Sequence, residues 1–141
     1  MEPAALIPAA EAIPSHWGLL EAMLVSTFAL HVVFMNLTVG SAIIAAWGRL
    51  TGRHEELARE LGHRLPTTLA FTVNFGVPPL LFVQVLYGQF LYTSSVLMAV
   101  FWLSGIALLI AGYYGLYLSD AKAHGAPGLS RLALFFSLAC L

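Results

Sequence analysis

One histidine, His31, stands inside the uncharged run from Ala22 to Gly48, in the stretch Ser26-Thr-Phe-Ala-Leu-His-Val-Val-Phe-Met-Asn-Leu-Thr-Val-Gly40. A run of that length can cross a bilayer, which needs about 20 mostly apolar residues. An imidazole at such a depth must be solvated by something other than water, and ionisable groups inside a membrane are functional candidates by default. A metal bond is the chemistry that best rewards the placement, and in apolar helical surroundings the metal is expected to be a haem iron. The alternative is a packed histidine hydrogen-bonded to Thr27, Thr38 or a neighbouring helix. His16, His54, His63 and His124 fall in candidate loops or ends. His54 and His63 lie among solvated charges, which reads as a plain cytosolic loop rather than a metal site.

The other polar side chains placed to do chemistry lie between Leu65 and Ser119, a stretch without a charged residue. At helical spacing Asn74, Pro78, Leu81, Gln84 and Gly88 fall roughly on one face, which predicts that Asn74 and Gln84 point into a helix bundle. Pro78 and Pro79 remove two backbone donors and predict a kink in mid-helix. Such a kink would make room for a planar cofactor, or serve packing alone. Thr27, His31, Met35 and Thr38 share a face of the preceding helix. Met35 is therefore on the same side as His31 and is a poor candidate for an opposing axial ligand.

These residues need a membrane-embedded frame, and the composition supplies one. Sixty per cent hydrophobic against nine per cent charged residues, with a mean hydropathy of +0.86, is far from the soluble average of ~25% charged. The fold class expected is all-α integral membrane, a single bundle region with spans at about 19–47, 66–88 and 96–117 and a partial fourth at 131–141. The last apolar run, Leu132–Leu141, has ten residues and reads as the start of a helix that continues. Gly40, Ser41, Ala42, Ala45 and Ala46 in the first span, and Ala111 with Gly115 in the third, are small enough for close helix approach. The six Lys and Arg all fall in the Arg49–Arg64 and Asp120–Arg131 loops. That asymmetry puts both loops inside and leaves the N-terminus and a Gln89–Ser95 turn outside. Residues 1–18 lack a basic segment before an apolar core, so they read as a short external tail rather than a secretory signal, with Ser15 capping the first helix. Six basic and seven acidic residues leave no basic footprint for a nucleic-acid partner, and the single Cys140 excludes an internal disulfide or a cysteine metal cluster.

Over about residues 24–120 the chain resembles the N-terminal transmembrane region of subunit I of the cytochrome bd-type quinol oxidases, as a divergent member. The resemblance rests on Phe28-x-x-His31 followed by Gly40, the arginine-bearing loop, and Ala70-Phe-x-x-Asn74-Phe75-Gly76 entering the second span. It implies that His31 is an axial ligand of a b- or d-type haem near the outer surface, with Asn74 and Gln84 as further cofactor-contacting candidates. Gln84 stands before Gly88 where the family has a glutamate, and the third span carries none of the family's carboxylates. An amide does not ionise, so Gln84 can hydrogen-bond but cannot relay a proton by titrating.

The expectation is therefore a haem-binding, electron-transferring membrane subunit or fragment of a cytochrome bd-like respiratory complex, itself not oxygen-reducing. It would lie in the plasma membrane of a prokaryote with other membrane subunits, cytochromes and quinol as partners. The alternative from another class is a haem-free scaffold or anchor subunit in which His31 is only packed. A proton or small-molecule transporter component is disfavoured by the lack of any carboxylate between Ala22 and Gly48 or between Leu65 and Ser119.

Overall fold

The computed structural model describes residues 15–122 and 125–141. The expected external tail and His124 lie outside them, Ser15 and the residues to Gly18 excepted. Four helices follow in order: α1, Trp17–Thr51; α2, Glu55–Leu97; α3, Ala99–Ala121; and α4, Pro127–Cys140. The first three are long and apolar enough to cross a membrane, which makes this a multi-pass helical membrane protein by length and composition. An apolar helix is self-sufficient in lipid because every backbone group inside it is already bonded.

The helices overrun the expected spans. Residues 55–64, read as loop, form the start of α2, and the turn between α1 and α2 shrinks to Gly52–His54. Gly52 ends α1 in the left-handed conformation (φ 66°), its N–H bonded to Gly48 O at 3.0 Å. Glu55 and Glu56 then occupy the first turn of α2, where negative charge suits the helix dipole. The expected Gln89–Ser95 turn is also helical, and it lies between the break in helical dihedrals at Tyr87 and the α2–α3 junction at Met98. At ~1.5 Å per residue, the part of α2 before its break at Tyr87 is about 48 Å long, more than a ~30 Å hydrocarbon core and enough for its charged first turns to extend beyond an apolar layer. His16 rather than Ser15 caps α1, its Nδ1 accepting from Gly18 N at 3.2 Å.

Pro78 and Pro79 do not break α2. The single departure from helical dihedrals comes at Tyr87 (φ −130°, ψ 29°), beside Gly88, whose backbone freedom disfavours a helix interior. The Gln84 amide donates to the Tyr92 hydroxyl across this break.

The core is concentrated at one end. Ala42, Ala45 and Ala46 of α1 meet Leu65 and Leu69 of α2, Leu116 of α3 and Leu134 of α4. A Cβ on Gly48 would lie 2.6 Å from the Ala58 Cβ, so only glycine permits this approach of α1 to α2. Gly112 and Gly115 of α3 face α4 at Cys140, Leu141, Ala133 and Ser137, so the small-residue stripe of the third span is shifted from the expected Ala111–Gly115 pair by one position. Among the described residues none before Thr38 or after Pro79 in the α1–α2 hairpin is buried. Small side chains close the hairpin at its tight turn, and bulkier ones hold it open towards the other end.

The closed end is pinned by Arg49. Its Nη1 donates to Ser119 Oγ at 2.9 Å on α3 and to Ser130 Oγ at 2.8 Å on α4. A Cβ on Gly62 of α2 would lie 2.6 Å from Arg49 Nη2, so the guanidinium of α1 lies in a slot made by all three other helices. Ser130 also donates to Ser119 O at 2.6 Å. Burial pulls the Arg49 pKa below its ordinary value, Asp120 opposes that, and Arg131 adds to it. His63 Nδ1, 3.0 Å from Asp120 Oδ1, adds an exposed α2–α3 contact.

Candidate functional site

Where the α1–α2 hairpin opens, His31 meets α2. Its Nδ1 lies 2.9 Å from Thr72 O. A carbonyl can only accept, so this bond places the proton on Nδ1 and leaves the lone pair of a neutral imidazole on Nε2. Thr72 is held in turn, its hydroxyl bonded to Thr68 O at 2.9 Å and to Thr38 Oγ1 at 2.9 Å. The ring is therefore oriented by a chain of bonds that joins the two helices. Of the partners considered from sequence, the neighbouring helix is the one that bonds His31; Thr27 and Thr38 bond elsewhere.

Gly76 explains how the ring comes so close. A Cβ there would sit 3.0 Å from His31 Cε1 and 3.1 Å from Nδ1. The neighbouring Phe75 stacks on Phe34 of α1, centroids 5.0 Å apart, with Phe71 beside them. The hairpin is thus braced by aromatic stacking on one side and admits the imidazole on the other.

His31 lines a cavity of ≈ 560 Å³ together with Phe28, Met35, Thr72, Gly76 and Trp102, the last from α3. That volume lies within the ~300–1,000 Å³ of small-molecule and cofactor sites, and the lining has their character, mostly apolar with few polar groups. Met35 shares the cavity wall with His31, as the helical spacing predicts.

Asn74 and Gln84 are not brought to this cavity. Asn74 is exposed, its amide donates to Ala70 O at 2.8 Å, and it lines a separate groove of ≈ 730 Å³ between α2 and α3 with Tyr113, Tyr114 and Tyr117. Gln84 is exposed near the Tyr87 break and bonds within its own helix. The two amides therefore face outward from this bundle rather than into it. Thr72 and Gly76 are the site residues that sequence reasoning missed. Their signal was the four-residue spacing, which puts both on one stripe of α2.

Among the described residues no three His, Cys, Asp or Glu side chains converge as a metal-binding group. A bare ion held by protein needs several such ligands. A porphyrin brings its own equatorial nitrogens and asks the protein for one or two axial donors, which His31 Nε2 can supply. The donor set fits that demand. No family model, curated protein or solved structure matches the chain.

The Gly76 contact gives a direct test. Gly76→Ala is expected to push the imidazole by a few tenths of an ångström and to weaken the Nδ1–H···O=C bond. A membrane-embedded side-chain hydrogen bond is worth ~0.6 kcal/mol, so the tautomer ratio should fall by up to about threefold. Ring ¹⁵N chemical shifts of His31 report this, and shifts identical to wild type would show that Gly76 does not set the ring's place.

Proposed function

We propose that this chain is a haem-binding, electron-transferring membrane subunit or fragment of a cytochrome bd-like redox complex in a prokaryotic plasma membrane, itself not oxygen-reducing. The observation that carries the proposal is the bond from His31 Nδ1–H to Thr72 O, which leaves the Nε2 lone pair free on a residue that lines an apolar cofactor-sized cavity. Metal-ligating histidines characteristically anchor the other ring nitrogen on a carbonyl or carboxylate, which fixes the tautomer and raises the basicity of the ligating one. The resemblance of Phe28-x-x-His31 and Asn74-Phe75-Gly76 to the bd-type subunit supports the same assignment.

In this reading a haem supplies a one-electron Fe(III)/Fe(II) couple. His31 would hold the iron through Nε2, Thr72 O holds the imidazole, Thr38 bonds the Thr72 hydroxyl, and Phe28, Met35 and Trp102 would form walls that restrict water. Restricted solvent access is one of the means by which a protein sets such a potential. The b- or d-type identity, a second axial ligand from a partner, and the electron donor and acceptor belong to the complex. Quinol is the donor class proposed, and the Asn74 amide with the tyrosines of the α2–α3 groove offers the hydrogen-bonding groups that ring oxygens require. No carboxylate lies between Ala22 and Gly48 or between Leu65 and Ser119 to relay protons for oxygen reduction, and Gln84 occupies the position where the family has one.

The scaffold reading has one specific observation in its favour: the Thr72 bond already satisfies one nitrogen of a packed histidine. An optical spectrum of the protein purified from membranes, before and after dithionite, separates the two. A Soret band with reduced-state changes is expected. Its absence from protein purified with its native partners would overturn the haem assignment.

A further inference from the structure

At the closed end of the bundle lies a cleft of ≈ 440 Å³ whose walls include Arg49, Arg59, Arg131 and Ser130, with Glu55 and Glu56 on the α2 side. Three guanidiniums against two carboxylates leave the cleft with an excess of positive charge. Among the described residues the ion pairs are His63–Asp120 and Arg64–Glu60, so neither glutamate of the cleft approaches any of its arginines within 4.0 Å. Arg49 spends its Nη1 bonds on two neutral hydroxyls, with Asp120 attracting it and Arg131 repelling it. The start of α4 at Pro127 is also on the cleft wall and adds the positive end of a helix dipole. With no ion pair to Arg59 or Arg131 among the described residues, the arrangement can receive an anion.

The level of the cleft narrows the chemistry. Trp47, two residues before Arg49, is 66% exposed, and Leu132, next to Arg131, is also 66% exposed. An exposed tryptophan and leucine at the same height as the arginines mark a boundary between apolar and polar surroundings, where lipid headgroups lie. Basic pockets between transmembrane helices on the cytoplasmic side are suited to phosphate-bearing headgroups, and the guanidinium fork matches phosphate oxygens.

We propose that the Arg49–Arg59–Arg131 cleft binds a phosphate group, supplied by an anionic phospholipid of the adjoining leaflet. Arg59 and Arg131 close on the phosphate from α2 and α4, while Arg49, already oriented by Ser119 and Ser130, forms the floor. Binding there ties the first turns of α2 and α4 together at the end where the bundle is pinned. The site is independent of whether His31 carries a haem.

The test uses the full chain purified in a mild neutral detergent and titrated with dioctanoyl phosphatidylglycerol, dioctanoyl phosphatidylcholine, glycerol 3-phosphate or sodium phosphate, with retention read by native mass spectrometry. Phosphatidylglycerol should bind in preference to phosphatidylcholine. Loss of one surface arginine should weaken it by about fivefold and Arg59→Gln with Arg131→Gln by about 25-fold. Arg53→Gln, the same charge change in the exposed turn outside the cleft, should leave affinity unchanged. Glu55→Gln with Glu56→Gln should tighten binding. Saturation by sodium phosphate or glycerol 3-phosphate at concentrations that match phosphatidylglycerol would keep the phosphate site but reassign its source to a soluble ligand. Equal retention of the two lipids, affinity unmoved by the double arginine variant, or no binding of any of the four would each overturn the proposal.

Discussion

His31→Ala is expected to abolish haem binding, or to leave an altered spectrum if an axial ligand from a partner retains the group, while the protein still reaches the membrane at near-normal level. Alanine is apolar and a good helix former, so α1 should insert unchanged. The hydrogen bond lost to Thr72 O is worth only ~0.6 kcal/mol in a membrane and at most about 2, too little to unfold a bundle whose core lies at the other end. An iron–nitrogen bond is far stronger than that hydrogen bond, and among the described residues the cavity wall offers no second imidazole. Gln84→Ala is the matched control, because it removes a polar side chain that does not line the cavity. Haem-to-protein ratio by pyridine haemochrome, measured on wild type and both variants, decides the matter. Equal ratios in all three would eliminate His31 as a ligand.

Arg49→Ala should be the most destabilising single change in the described bundle. Hydrogen bonds to a charged group are worth ~1.5–3 kcal/mol each, and the substitution deletes two of them, to Ser119 and Ser130. It also empties the slot beside Gly62, so α1 loses its polar tie to α3 and α4 together. A loss of about 3 kcal/mol is expected, visible as a lowered midpoint of thermal unfolding in detergent. Arg49→Lys should recover only part of it, because one ammonium lacks the planar fork that reaches two hydroxyls at once. Arg53→Ala, with an exposed side chain in the α1–α2 turn, should stay within about 0.5 kcal/mol of wild type. Equal midpoints for Arg49→Ala and Arg53→Ala would show that the α1–α3–α4 tie carries no stability.

The helical class and the three long apolar segments were readable along the chain, because each depends on local hydropathy. A helix in lipid satisfies its own backbone, so a continuous uncharged run is sufficient information. Helix ends were not readable in the same way. Charge marks where the apolar layer stops, but Glu, Leu, Ala and Arg are good helix formers, so α2 continues through residues 55–64 without regard to that boundary. The double proline marked a loss of donors, yet α2 keeps helical dihedrals through it and departs from them beside Gly88 instead.

Relations between helices depend on rotation and crossing, which no single segment carries. Asn74 and Gln84 are ten positions apart, and at 3.6 residues per turn that leaves them about 80° apart around the axis. They consequently serve different surfaces, one facing the tyrosines of α3 and the other standing near the break in α2. Residues 49, 62, 119 and 130 lie in segments read as loops or loop edges, and only the packed bundle brings the guanidinium, the glycine slot and the two hydroxyls together. The same holds at His31. Its place in an apolar helix follows from its neighbours in sequence, whereas the choice of Thr72 O as partner, which leaves the lone pair on Nε2, follows from how closely Gly76 lets α2 approach.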